Sequence, residues 1–124
     1  MNRKTVLIAD DDEDVRHVVR MQLERFPYRL LEARTGEEVL RIARADKPDA
    51  ILLDWILPGI TGAELLRALR ADPALQDIRV IVMTGEEQAV RDAHRFGAQE
   101  SILKPFTPRH LADKLEHVLM DPHG

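Results

Sequence analysis

Thr5-Val6-Leu7-Ile8-Ala9 runs straight into Asp10-Asp11-Asp12-Glu13-Asp14, and a stripe of helical period follows. The first five residues are short and rich in β-branched and aliphatic side chains, the pattern of a strand buried on both faces. From Asp14 the apolar side chains fall at Val15, Val18, Val19, Leu23 and Phe26, one face of a helix that Pro27 ends. The same unit recurs along the chain. Tyr28 to Ala33 predicts a second strand, and Thr35-Gly36-Glu37-Glu38 is a capping-box start for a helix carrying Val39, Leu40 and Ala43. Pro48-Asp49 turns the chain into a third strand, Ala50-Ile51-Leu52-Leu53-Asp54. Pro58, Gly59 and Gly62 form a loop before a helix with Leu65, Leu66 and Leu69, which is over by Pro73. Ile78 to Thr84 predicts the fourth strand, and Glu86 to Phe96 a helix with Gly97 placed to cap it. Glu100 to Lys104 is a weaker fifth strand; Pro105 and Pro108 precede a last helix with Leu111, Leu115, Val118 and Leu119. Five strand–helix units with apolar strands predict a doubly wound α/β domain, its parallel sheet covered on both faces.

Composition narrows the function. The 124 residues fit one domain, read as a single unit over 1–124 with no output domain, and no repeat, linker or low-complexity stretch interrupts it. There is no cysteine, which excludes a disulfide framework, a thiolate metal site and a cysteine nucleophile. The unbroken apolar runs Val6–Ala9, Ala50–Leu53 and Val80–Met83 are far too short for a transmembrane helix or a signal peptide. With 22 acidic and 18 basic residues the net charge is −4, which offers no electrostatic footprint for nucleic acid or an anionic membrane. The expectation is a soluble cytoplasmic domain.

In a doubly wound sheet, ligands bind beyond the carboxyl ends of the strands. There the first strand delivers Asp10 and Asp11, the third Asp54, the fourth Thr84 and the fifth Lys104. Singly, each has a bland reading: an acidic run such as Asp12 to Asp14 caps a helix, an aspartate or Lys-Pro forms a turn, and a threonine ends a strand. Together they make an acid–hydroxyl–cation set. Converging carboxylates repel by about 4 kcal/mol per pair at 4 Å and an effective dielectric near 20. A hard divalent cation such as Mg²⁺ relieves that repulsion through oxygen ligands. A phosphoryl group in transfer spreads charge over three oxygens, which metal, ammonium and hydroxyl can share, with Asp54 between them as a carboxylate nucleophile.

At this point the sequence resembles the receiver domain of two-component response regulators, of the stand-alone, chemotaxis-regulator-like type. The matching pieces are Val6-Leu7-Ile8-Ala9-Asp10-Asp11-Asp12, Leu52 to Gly59, Thr61-Gly62, Val82-Met83-Thr84-Gly85, Gly97-Ala98 and Lys104-Pro105-Phe106. The resemblance implies a flavodoxin-like (βα)5 fold with strand order 2-1-3-4-5. It makes Asp54 the phosphoacceptor and a metal ligand; Asp11 would bind Mg²⁺ directly, Asp10 mainly through water, and Ile56 through its backbone carbonyl, with Mn²⁺ as a substitute metal. Thr84 would receive a phosphate oxygen, Lys104 would pair with the carboxylate and then the phosphoryl group, and Lys104-Pro105 would be cis. Ile56 and Glu86 would flank the approach of attacking water. The implied partners are a sensor histidine kinase or histidine phosphotransfer protein and an unidentified downstream protein, with no direct nucleic acid and no membrane. On this reading the chain is a signalling domain rather than an enzyme.

One position departs: Ser101 stands where the family often has an aromatic, and a serine cannot fill a pocket by turning inward. Two alternatives stay open, a phosphorylation-independent interaction module and an aspartate-nucleophile phosphohydrolase. The second fits poorly, because such enzymes carry the nucleophile on the first strand. His17, His94, His110, His117 and His123 read as solvated, as do Arg91, Arg95 and Arg109, and Trp55 as a half-exposed loop aromatic beside the acceptor.

Overall fold

A computed structural model describes residues 3–120. Five strands alternate with five helices: β1 Lys4–Ala9, α1 Glu13–Leu23, β2 Tyr28–Ala33, α2 Gly36–Asp46, β3 Ala50–Asp54, α3 Gly62–Ala71, β4 Arg79–Thr84, α4 Glu87–Arg95, β5 Glu100–Leu103 and α5 Pro108–Met120. All strand pairs are parallel and the order is β2-β1-β3-β4-β5. This is the flavodoxin-like arrangement.

Alternation along the strands divides the interior in two. Leu7, Ile51, Leu53, Val80 and Val82 point to a core closed by α2, α3 and α4. Their neighbours Val6, Ile8, Leu52, Ile81, Met83 and Ile102 point to a second core closed by α1 and α5. The central strand β3 is buried at all five positions, as a strand sandwiched between two helical layers must be. Edge strand β2 instead exposes Arg29 and Glu32, charges that blunt a free edge.

The register brings the strand ends to one rim. Ala9 pairs with Ala33 and Leu53, Asp54 with Met83, and Thr84 with Leu103. The ladder then continues one residue past the strands: Asp10 N–H donates to Ala33 O (3.1 Å), Trp55 N–H to Met83 O (3.0 Å) and Lys104 N–H to Thr84 O (2.7 Å). Residues just beyond the strands are thus still tied to the neighbouring strand.

Element ends differ slightly from the sequence expectation. Asp12 caps α1, accepting from Asp14 N–H at 2.9 Å, so the helix starts earlier than Asp14. It stops at Leu23, and Phe26 N–H closes a turn onto Leu23 O. Ile78 belongs to a turn onto Leu75 O rather than to β4, and Lys104 follows β5. The buried stripe of α1 is Arg16, Val19 and Leu23, whereas Val18 is 49% exposed.

One glycine shapes the loop after β3. A Cβ on Gly62 would lie 2.5 Å from Cε3 of Trp55, so the indole rests directly on the start of α3. Gly62→Ala should displace the ring, shifting Trp55 emission and costing about 1–3 kcal/mol of stability. Fluorescence and urea denaturation check this; unchanged emission and stability would show that the close approach places no constraint on the loop.

Candidate functional site

The strand ends converge as the sequence suggested. Asp10 is fully buried, Asp54 is 9% exposed and Asp11 is exposed, and one carboxylate oxygen of each lies within 4.8 Å of the others. Lys104 Nζ donates to Asp10 Oδ2 at 3.2 Å and stands 3.6 Å from Asp54 Oδ2. Asp12 N–H donates to Asp10 Oδ1 (2.9 Å) and Ile56 N–H to Asp54 Oδ1 (3.2 Å). The Lys104-Pro105 peptide is cis.

A cleft of about 430 Å³ opens over this cluster, lined by Asp11, Asp54, Ile56, Thr84, Gly85, Glu86 and Lys104. Thr84 is buried at the end of β4, and its hydroxyl oxygen accepts from Glu86 N–H at 3.2 Å. The Ile56 side chain is 68% exposed at the mouth. All seven sequence-selected residues therefore meet at one place: six line the cleft, and fully buried Asp10 is joined to them through Lys104.

Burial pushes the Asp54 carboxyl up from its usual 3.8 to about 6, with the Asp10 carboxylate adding to the effect. The Lys104 ammonium and the Ile56 N–H act in the opposite direction but do not prevail. Asp54 is therefore ionised at neutral pH, yet it is a strained and relatively basic carboxylate. The donor set consists wholly of oxygen atoms, with no imidazole or thiolate among the clustered ligands. Such a set suits a hard divalent cation, whose charge removes the repulsion.

The family model for the response regulator receiver domain matches residues 6–116. The chain belongs to that family. Over 118 residues it is 42% identical to the phosphate regulon transcriptional regulatory protein PhoB of Pseudomonas aeruginosa, covering 94% of this chain and 52% of the relative. It thus spans about half the length of that relative. Against the chemotaxis protein CheY of the same organism identity is 31%, covering 96% of this chain and 98% of the relative. The solved receiver domain of the P. aeruginosa sensor histidine kinase PA1611, described with a magnesium ion in its active site cleft, superposes with TM-score 0.88. Its identity is 24%, covering 97% of this chain and 100% of that one, so this likeness speaks to the fold. Receiver domains are signalling modules of two-component systems. Among the described residues no helix is long and apolar enough to cross a membrane.

Two features escaped the sequence reading. Arg16 is buried, and its guanidinium reaches the back of the acidic cluster. His94 is exposed, as expected, but its Nε2 also lies 3.3 Å from the hydroxyl of buried Ser101, so α4 and β5 are joined by a polar contact. His17, His110 and His117 are exposed, as are Arg91, Arg95 and Arg109, and Trp55 is half-buried. His123 lies outside the described residues.

The raised carboxyl has a thermodynamic consequence. When pH is below 3.8, Asp54 is protonated in folded and unfolded chains alike; above about 6 the folded state carries a charge that its surroundings disfavour. Between those values the folded state binds more protons, so this group's contribution to stability falls as pH rises. Metal-free Asp54→Asn should gain stability relative to wild type across that window. Unfolding free energies measured from pH 4 to 7 check it; a gap independent of pH would mean that Asp54 is not perturbed.

Proposed function

We propose that this domain accepts a phosphoryl group on Asp54 from the phosphohistidine of a sensor kinase or phosphotransfer protein. The single observation that carries the reading is a buried, raised carboxylate set between an acidic pair and an ammonium at the floor of one cleft. An Asp54 carboxylate oxygen attacks phosphorus, a P–O bond forms, the P–N bond breaks, and the imidazole leaves with the bond pair. At neutral pH Asp54 needs no base, because it is already ionised.

Asp10, Asp11, Asp54 and the backbone carbonyl of Ile56 would hold Mg²⁺, with Mn²⁺ as a substitute. The ion supplies charge neutralisation for the transferring phosphoryl oxygens. Lys104, already paired with Asp10 and near Asp54, balances a second portion of that charge. The Thr84 hydroxyl, at the cleft wall, donates to a third oxygen. Ile56 and Glu86 both line the cleft and limit the approach of water to the acyl phosphate.

A protein donor is supported by the surface beside the site. An apolar groove of about 480 Å³, lined by Val15, Val18, Pro105, Phe106 and Pro108, reaches Lys104. Helix surfaces carrying a phosphohistidine could seat there with the phosphoryl group over Asp54. Output by protein contact rather than by direct nucleic-acid binding accords with the net charge of −4. On this reading residues 3–120 work as one cytoplasmic receiver unit, whatever it is joined to.

Incubation with acetyl phosphate and Mg²⁺ should add one base-labile phosphoryl group by intact mass, and Asp54→Asn should abolish it. Wild-type labelling in Asp54→Asn would refute the acceptor assignment. Lys104→Ala should slow labelling at least tenfold while remaining folded; loss of the fold instead would make Lys104 structural.

A separate measurement tests the cation site. Mg²⁺ bound only by the folded state should stabilise it by about 1.4 kcal/mol at ten times Kd, raising Tm by roughly 3–8 °C. Asp11→Asn should lose most of that rise while melting higher without metal, because one repelling charge is gone. Equal shifts in the two proteins at constant ionic strength would rule out a cation site built on Asp11.

A further inference from the structure

Arg16 is a charged side chain in the buried stripe of α1, where Val19 and Leu23 are its companions. Its side chain is 10% exposed. The guanidinium donates through Nη1 to the backbone carbonyl of Asp10 at 2.8 Å and through Nε to Glu32 Oε1 at 3.0 Å. Glu32 extends from β2, and its second oxygen accepts from Arg20 Nη1 at 2.7 Å. One carboxylate thus clasps two arginines one helical turn apart.

Stability alone gives little reason for this arrangement. A buried ion pair is commonly no better than apolar side chains of similar volume, and the position already faces a core of Val19, Leu23, Leu111 and Leu115. What an apolar residue lacks is a donor for the Asp10 carbonyl, which lies beyond the last paired residue of β1. That carbonyl belongs to the peptide joining Asp10 to Asp11. Asp10 is held on both sides of its Cα: its N–H, in the preceding peptide, is tied to Ala33 O, and its carbonyl, in the peptide to Asp11, is tied to Arg16. Asp10's carboxylate has further anchors in Asp12 N–H and Lys104. Asp11 is exposed, so its aim depends on the backbone beneath it.

We propose that Arg16, held in place by Glu32, is a positioning residue that orients the Asp10–Asp11 pair and so sets the divalent-cation affinity of the cleft. This rests on the reading of Asp10, Asp11 and Asp54 as a cation site. Positioning and charge predict opposite signs. Removing a nearby positive charge favours cation binding, whereas loosening the ligand-bearing peptide weakens it. Partners that orient metal ligands typically contribute about 10–100-fold in affinity.

The test is titration of the full chain with Mg²⁺ alone, by calorimetry or Trp55 emission, at constant ionic strength, with metal-free melting recorded for each variant. Arg16→Met should weaken Mg²⁺ binding about 10–100-fold, and Glu32→Gln should weaken it in the same direction. Arg16→Lys, which keeps the charge but lacks the planar fork, should fall between Arg16→Met and wild type. Arg20→Met, which loses only the outer oxygen of Glu32 and an ion pair with Glu24, should stay near wild type. If Arg16→Met does not fold, Arg16→Lys and Glu32→Gln decide. Unchanged or tighter binding in these variants, with lower melting temperatures, would overturn the proposal and leave Arg16 a purely structural residue. Failure of wild type to bind Mg²⁺ would bring down the cation site itself, and the positioning role with it.

Discussion

Two neighbouring strands each end in a buried aspartate, and two buried carboxylates cannot both stay ionised without a counter-charge. Asp10 and Asp54 are in that position, and the Lys104 ammonium stands 3.2 Å from one and 3.6 Å from the other. Most of the fold can be seen as a means of assembling these three groups. They come from the ends of β1, β3 and β5, separated by long stretches of sequence, and only a parallel sheet sends all of its carboxyl ends to one rim. The hydrogen bonds that continue past the strands, to Ala33, Met83 and Thr84, then hold the charged residues where the sheet leaves them.

The balance is incomplete, and that is chemically useful. One ammonium serves two carboxylates, its bond goes to Asp10, and Asp54 keeps a carboxyl raised to about 6. A fully neutralised Asp54 would be a poor nucleophile and would offer no electrostatic reason to bind a cation. Without the ammonium its carboxyl would be pushed higher still. That partial compensation is the condition the proposed acceptor role of Asp54 calls for.

Much of this was legible in the sequence because strands buried on both faces leave a plain signature. Val6 to Ala9, Ala50 to Leu53 and Val80 to Met83 identified the three inner strands, and the residues just after or at the end of each run named the site. The fifth strand was harder, being short and interrupted by Ser101. Helix phase was the real weakness. In α1 the apolar residues Val15, Val18 and Val19 fit two adjacent faces, and a hydrophobic pattern assigns an arginine to solvent by default. The helix in fact turns Arg16 inward and Val18 outward. The missing signal is a partner in another element: Glu32 on β2 and the carbonyl of Asp10 draw Arg16 inside, and neither can be seen from the period of α1 alone. The contact of exposed His94 with Ser101 escaped for the same reason, since its partner lies on β5.

The far wall of the cleft shows how a change in charge at Asp54 bears on the surface. Thr84 offers its hydroxyl oxygen to Glu86 N–H, and Glu86 is the N-cap residue of α4, which makes no side-chain capping bond there. A helix start without a side-chain cap leaves its first donors dependent on whatever lies nearby. The hydroxyl at the cleft wall therefore also contacts the entry to α4. At its other end α4 is joined to β5 through His94 and Ser101 rather than through a large apolar side chain. The buried residues of this helix are only Ala89 and Ala93. Small side chains bury little apolar area, so α4 is held to the sheet more weakly than the leucine-rich α3. An anion that reoriented Thr84 would act on the helix with the lesser apolar anchoring of these two, at the end that carries no side-chain cap.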